Sequence, residues 1–145
     1  VVVDDLVKQH VQTTPVEVPT ALQSEVDHWL AGKLPFRAAT PKFKDQRVSL
    51  LGARLSRVHT GENDQNVPAA QLLYRVGPHK MSVLVFDGGE SFELGDNAQI
   101  VRGQPVHVHD RSGHRVAIFK RGKLTYAVTS DLPTSDIVQV IGTSL

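Results

Sequence analysis

The sequence predicts an α+β fold: a single domain in which a mostly antiparallel sheet of about six strands is covered by N- and C-terminal helices. Three observations support this prediction. Apolar or alternating runs are separated by short glycine-containing turns, which is typical of β-hairpins. Apolar residues recur at helical spacing near both ends of the chain. The length of 145 residues suits one domain with a core of its own.

The helices are predicted from apolar spacing and from their end signals. The first occupies residues 1–13, and the domain proper follows over residues 14–145. Its apolar face consists of Val3, Leu6, Val7 and Val11. A second, short helix is predicted to be capped by Ser24 and to end at Gly32. The last helix is predicted to be capped by Ser130 or Asp131.

Six strands are predicted, most of them in hairpins. They cover residues 47–58, 69–76, 80–86, 106–109, 114–119 and 123–129. The last two are expected to be joined through Arg121 and Gly122, with the glycine second in a two-residue turn. Residues 87–104 have no apolar period and are rich in glycine and small polar residues, so they are predicted to be the longest loop.

The charge balance argues against nucleic acid as the main partner. The formal net charge is +1, whereas phosphate binding needs a clustered basic surface. The charges are mildly segregated, which is compatible either with ordinary solvated surfaces or with patches for a protein partner. The basic section contains Arg37, Lys42, Lys44, Arg47, Arg54 and Arg57, and the acidic one contains Asp87, Glu90, Glu93 and Asp96.

Neither a disulfide framework nor a thiol nucleophile is possible, because the chain has no cysteine. No apolar run approaches the length needed to span a membrane. The sequence opens on three valines without an initiating methionine. We therefore interpret it as a fragment and the valines as what remains of an apolar segment.

A possible metal site is the strongest local chemical signal. His107 and His109 lie two apart on a predicted strand and should share a face, and His114 follows across a short turn. Asp110 is also near, and three imidazoles with a carboxylate could bind zinc, copper or nickel. Histidines on the exposed face of an edge strand would give the same spacing. The remaining histidines, at positions 10, 28, 59 and 79, are interpreted as surface or interface residues.

No motif indicates catalysis. The Gly-x-Ser-x-Gly pattern of a nucleophile elbow does not occur, and Ser130–Asp131 is better explained as a helix cap than as a catalytic pair. We therefore expect no enzymatic activity and no obligatory cofactor. A small hydrolase or ligand-binding enzyme is kept as an alternative hypothesis. A pocket with convergent polar groups would favour it.

Six segments, in order and spacing, resemble the extracytoplasmic part of transmembrane anti-sigma factors. They are residues 28–36 (HWLAGKLPF), 50–55 (LLGARL), 68–75 (PAAQLLYR), 79–86 (HKMSVLVF), 113–119 (GHRVAIF) and 124–132 (LTYAVTSDL). Phe119 stands where the family usually has tryptophan, and the His107-x-His109 pair is not part of the common pattern. The resemblance spans most of the chain, although each segment alone is a strand-and-turn signature.

The resemblance implies a non-catalytic sensor or relay domain on the extracytoplasmic, periplasmic side of the cytoplasmic membrane. In such proteins a single membrane helix connects the outer domain to a cytoplasmic domain that sequesters an extracytoplasmic-function sigma factor. The resemblance thus implies that the predicted helix over residues 1–13 is membrane-proximal. A partner protein or a protease acts on the outer domain, and the sigma factor is released. Sigma binding would then belong to a cytoplasmic domain absent from this chain. The signal, the sigma factor and the oligomeric state are left open.

Overall fold

The structure is a computed structural model that describes residues 2–11, 16–60, 65–87 and 98–145. Within these ranges it contains three helices and eight strands. In chain order they are α1 (Val2–Val11), β1 (Val18–Pro19), α2 (Gln23–Leu30), β2 (Val48–Thr60), β3 (Gln65–Val76), β4 (His79–Phe86), β5 (Ala98–Val101), β6 (Gln104–Arg111), β7 (His114–Arg121), β8 (Leu124–Ser130) and α3 (Thr134–Gly142). The predicted α+β class is confirmed.

The eight strands form one antiparallel sheet in the order β1-β2-β3-β4-β8-β7-β6-β5. On each side of the centre of the sheet, strands that follow one another in the chain pair with each other. The two sides join where β4 pairs with β8, from Met81 opposite Ser130 to Phe86 opposite Thr125. These two central strands are buried almost throughout, and β4 is correspondingly apolar on both faces except at Ser82.

Helices cover both faces of the sheet. Leu6 and Val7 of α1 pack on the face that carries Leu84 and Phe86. The helices α2 and α3 cover the opposite face and form the larger core cluster, which includes Ile137 of α3. The fold is therefore three-layered, with the sheet between helices on both faces.

The structure has two strands more than predicted. The short β1 pairs with β2 at Gly52 and Ala53. The strand β5 lies inside the segment that was predicted to be a loop, and it pairs with β6. Four residues are too few to show a period, so the strand depends on its partner. Residues 88–97 of that predicted loop lie outside the described residues.

Gly52 allows β1 to approach β2. The register slips by one residue between Leu50 and Gly52, and Gly52 has φ of 153°. A Cβ at this position would lie 2.6 Å from the carbonyl oxygen of Val18. A larger residue would therefore push β1 away from the sheet.

Three local predictions need correction. The N-cap residue is Leu22 in α2 and Pro133 in α3, not the predicted serine or aspartate. Neither residue makes a side-chain cap hydrogen bond. The Ser130 hydroxyl instead donates to the carbonyl oxygen of Lys80 and accepts from the backbone N–H of Leu132. The turn between β7 and β8 has Gly122 first and Lys123 second, because Arg121 already pairs with Leu124.

The predicted N-terminal helix is α1, and the boundary placed after residue 13 lies outside the described residues. Among the described helices, none combines the length and the apolar character that a membrane crossing requires.

Candidate functional site at the interface of α1 and the sheet

The strand register places the three predicted metal ligands on one face. His107 pairs with Ile118 and His109 with Val116, and His114 pairs with Arg111 at the adjacent turn. Residues directly opposite each other point to the same side of a sheet, so the three histidines lie on the face that α1 covers. All three side chains are half-buried. The Nδ1 atom of His107 is buried and has no hydrogen-bond partner among the described residues.

Sharing a face does not bring the three imidazoles together at one point. Among the described residues, no group of three or more histidine, aspartate or glutamate side chains is close enough to hold a metal ion. A zinc ion needs three or four converging ligands. The ring of His114 instead lies against the ring of His10, with centroids 5.3 Å apart and planes at 69°. The metal site therefore stays a prediction.

Helix α1 is built into the core of the domain. Leu6 is fully buried and Val7 is 8% exposed. Both belong to a cluster with Leu84, Phe86 and Ile118. The spacing of Val3, Leu6 and Val7 thus produces the apolar face that the sequence predicted. Val11 is an exception because half of its side chain is exposed.

His10 anchors the C-terminal end of α1. Its side chain is only 4% exposed, and its Nδ1 atom lies 2.7 Å from the hydroxyl oxygen of Ser82 on β4. The ammonium group of Lys80 donates to the backbone carbonyl oxygen of His10 over 2.9 Å. This contact satisfies a helix-end carbonyl and places a cation at the negative end of the helix dipole. The anchor is therefore a buried polar contact between a helix and the centre of the sheet.

Burial keeps the imidazole of His10 neutral over a wide range of pH. It is the main reason that the pKa of His10 is lowered to about 4, and the neighbours Lys80 and His114 lower it further, while Asp131 opposes them. A protonated His10 would carry an unpaired charge into the interface. Protonation and docking of α1 are therefore linked.

Asp131 joins the neighbouring strand ends. Its carboxylate lies 2.9 Å from Nδ1 of His79, and this hydrogen bond lowers the pKa of Asp131. Arg115 donates to the backbone carbonyl oxygen of Asp131 over 3.1 Å. The segment that resembles the end of the anti-sigma domain, with Ser130 and Asp131, thus connects the end of β8 to β4 and β7.

The contact between Ser82 and His10 has the distance of a nucleophile–base pair, but the hydroxyl is inaccessible. Ser82 is 2% exposed and lies beneath α1. A substrate could reach it only if the helix moved away. In this conformation the pair acts as a structural hydrogen bond.

Sequence reasoning missed His10, which was interpreted as a surface or interface residue. A signal was present: His10 follows Leu6 by four residues and Val7 by three, so it continues the apolar face of the helix. His28 and His59 are exposed, as predicted, and His79 is half-buried.

A scan against protein-family models finds none that matches the chain, and a search of curated proteins finds no matching relative.

Proposed function

We propose that this chain is a non-catalytic extracytoplasmic sensor and relay domain of a membrane-anchored anti-sigma factor. The six resembling segments support the family, and the packing of α1 supports the relay. The single observation that carries the relay is the burial of Leu6, Val7 and His10 of α1 against the sheet. A helix held in this way couples the sheet to whatever lies beyond its N-terminus.

In the proposed mechanism, the outer domain exists in a docked and an undocked state of α1. A partner protein or a protease shifts the balance toward the undocked state, and the change passes through a membrane helix to a cytoplasmic domain outside this chain. Local opening of one helix costs less free energy than global unfolding. The sigma factor is released as a consequence, without chemistry in this domain.

A pair of substitutions on one helix tests the relay. Leu6→Ala removes a fully buried side chain, and Val11→Ala removes a half-exposed one. In the full-length protein in its source cells, we expect Leu6→Ala to raise transcription from the sigma factor's promoters without a signal and Val11→Ala to behave like the parent. A normal response of both variants would contradict the relay. Deleting residues 3–11 is a poorer test, because it would uncover Leu84 and Phe86.

Membrane anchoring is tested separately by fractionating the source cells and probing with an antibody against this domain. We expect a membrane-bound band larger than 15.9 kDa, the mass of this chain, that is trimmed by protease added from the outer side. A soluble band of that mass would remove the anchored anti-sigma factor from consideration and favour a free periplasmic binding domain.

The alternative is a metal-binding sensor that uses His107, His109 and His114. Their common face of the sheet favours it. Zinc or copper should then raise the melting temperature of the parent, and replacing His107 and His109 by alanine should abolish the rise. A parent whose melting temperature does not respond to either metal would eliminate this alternative.

A further inference from the structure

The strand β2 has an open edge beyond β1. The backbone N–H groups of Glu17 and Thr20 donate to the carbonyl oxygens of Ala53 and Leu51, so the odd-numbered residues of β2 direct their backbone groups toward this edge. Only Gly52 and Ala53 pair with β1. The alternation continues along β2, and the backbone groups of residues 55, 57 and 59 therefore face the open edge.

Side chains partly occupy this edge. The carboxylate of Glu17 accepts from the N–H of Leu55 over 2.9 Å. From α1, the side-chain amide of Gln9 donates to the carbonyl oxygen of Arg57, and Asp5 accepts from the N–H of His59 over 3.4 Å. Among the described residues, the carbonyl oxygen of Leu55 and the N–H of Arg57 have no hydrogen-bond partner. Exposed edges of this kind can accept an additional strand.

The open edge forms the floor of a slot of about 610 Å³. One wall is α1, and the other is residues 33–35, which follow α2. Both walls contribute a lysine, Lys8 on α1 and Lys33 on the other side, and both side chains are exposed. A strand lying on the floor would direct alternate side chains toward the two walls.

The slot is strongly cationic. Its charged and titratable lining residues are Lys8, Lys33, Arg54, Arg57, His59 and Asp5. Two carboxylates of the described residues lie at this edge, and both are engaged: Asp5 accepts hydrogen bonds from Gln9 and His59, and Glu17 accepts one from the N–H of Leu55. Arg54 donates to Gln71 over 2.8 Å, and its Nε atom is buried without a partner among the described residues. The slot therefore complements a ligand rich in carboxylates.

We propose that this slot binds an extended acidic peptide as an added strand next to β2. The free backbone groups pair with the peptide backbone, and Lys8 and Lys33 pair with carboxylates on neighbouring residues, whose side chains point to opposite walls. Gln9 and Asp5 lose their contacts with the edge when the strand enters. The binding then loosens α1, and this second step rests on the proposed relay function.

The probe is a fluorescein-labelled peptide, Thr-Glu-Glu-Val-Glu-Glu-Thr, which as a strand directs glutamates to both walls. It is titrated with the whole chain at low salt and followed by fluorescence anisotropy. We expect saturable binding by the parent. The double variant Lys8→Glu with Lys33→Glu should bind at least about tenfold more weakly. Lys123→Glu, an exposed charge reversal at the β7–β8 turn, is the matched control and should bind like the parent. Lack of saturable binding, or equal affinity of the double variant and the parent, would overturn the site.

A second peptide separates strand addition from charge attraction. It has the same sequence with alternate backbone nitrogens methylated, so it keeps its carboxylates and cannot pair as a strand. We expect it to bind at least about tenfold more weakly than the first peptide. Equal affinity would mean that the slot recognises polyanions in general and would overturn strand addition.

Hydrogen exchange of α1 with bound peptide tests the second step. We expect faster exchange in residues 6–11 and unchanged exchange in β4 and β8. Peptide binding without this change would overturn the loosening of α1 and leave the site standing. Because these measurements use the isolated chain, they are independent of the reporter experiment on the relay.

Discussion

The two faces of the sheet differ in what they bury. The face under α2 and α3 is covered by an almost wholly apolar cluster that includes Met81, Val83 and Phe119. The face under α1 has a smaller cluster and holds most of the buried polar side chains. Of the six buried polar residues in the described part of the chain, five lie on or against it: His10, Gln71, Ser82, Thr125 and Thr129.

This difference indicates which helical layer can detach from the sheet. Apolar burial stabilises regardless of exact partner geometry, whereas a buried polar group is costly unless it keeps its hydrogen bond. The hydroxyl of Thr125 is buried without a partner among the described residues. Packing on the α1 face therefore stabilises the fold less per unit of buried area than packing on the opposite face. Of the helical layers, α1 is the one most suited to reversible docking.

The largest expected effect is on the apolar face. Ile137→Ala empties a fully buried position in α3 and should lower the free energy of unfolding by roughly 2 to 5 kcal/mol. The transition should stay cooperative, with an unchanged dependence on denaturant. Urea unfolding measures both quantities. Gln139→Ala, exposed on the same helix, should stay within about 0.5 kcal/mol of the parent. A local loss confined to α3 would contradict the view that this face is the permanent core.

The next effect is the pH dependence of the α1 face. The unfolded chain protonates His10 near its ordinary value of 6.5, and the folded chain only at about 4. Between these values the unfolded state binds more protons, so stability falls as pH falls from 6.5 to 4 and is constant above 6.5 with respect to this group. The full difference amounts to about 3 kcal/mol.

The measurement is urea unfolding at several pH values for the parent and for His10→Asn, which keeps a polar side chain and does not titrate. Because other histidines and carboxylates titrate in both proteins, the difference between the two curves isolates His10. We expect the parent to lose stability relative to the variant as the pH falls. Parallel curves would show that His10 is not held neutral by the interface.

The smallest effect concerns Leu6. Leu6→Ala should cost roughly 2 kcal/mol, at the low end for a buried leucine, because detachment of α1 limits the loss to its docking energy. Hydrogen exchange should show earlier opening of residues 6–11 than of β4 and β8. If all these amides opened together with global unfolding, α1 would be part of the cooperative core and the contrast between the two faces would fail.

Several features could be predicted from local signals. The strand β4 was recognised from its apolar run, and α1 from the spacing of Leu6 and Val7, because these patterns depend on the backbone geometry of neighbouring residues. Helix caps were predicted less well. Ser130 looked like a cap by residue type, yet its hydroxyl is engaged by the carbonyl oxygen of Lys80 on another strand. The carbonyl oxygen of Lys80 competes with the helix end for this hydroxyl, and only the pairing of β4 with β8 brings it close.

The candidate site also has one feature that could be predicted from the sequence and one that could not. The common face of His107 and His109 followed from the two-residue period of a strand, which any strand obeys. The burial of His10 beneath its helix could not be established, since an apolar spacing shows that a helix has a covered face but not which surface covers it. Ser82 and Lys80 lie about seventy residues away in the chain.

The sequence by itself determined the class of fold, the approximate strands and the apolar face of each helix. These follow from short-range sterics and from the separation of apolar and polar side chains. The tertiary structure decided that helices cover both faces, that β8 inserts between β4 and β7, and that β2 keeps an open edge. The physical reason is that strand order and helix placement depend on contacts between distant residues, whose free energies no local pattern records.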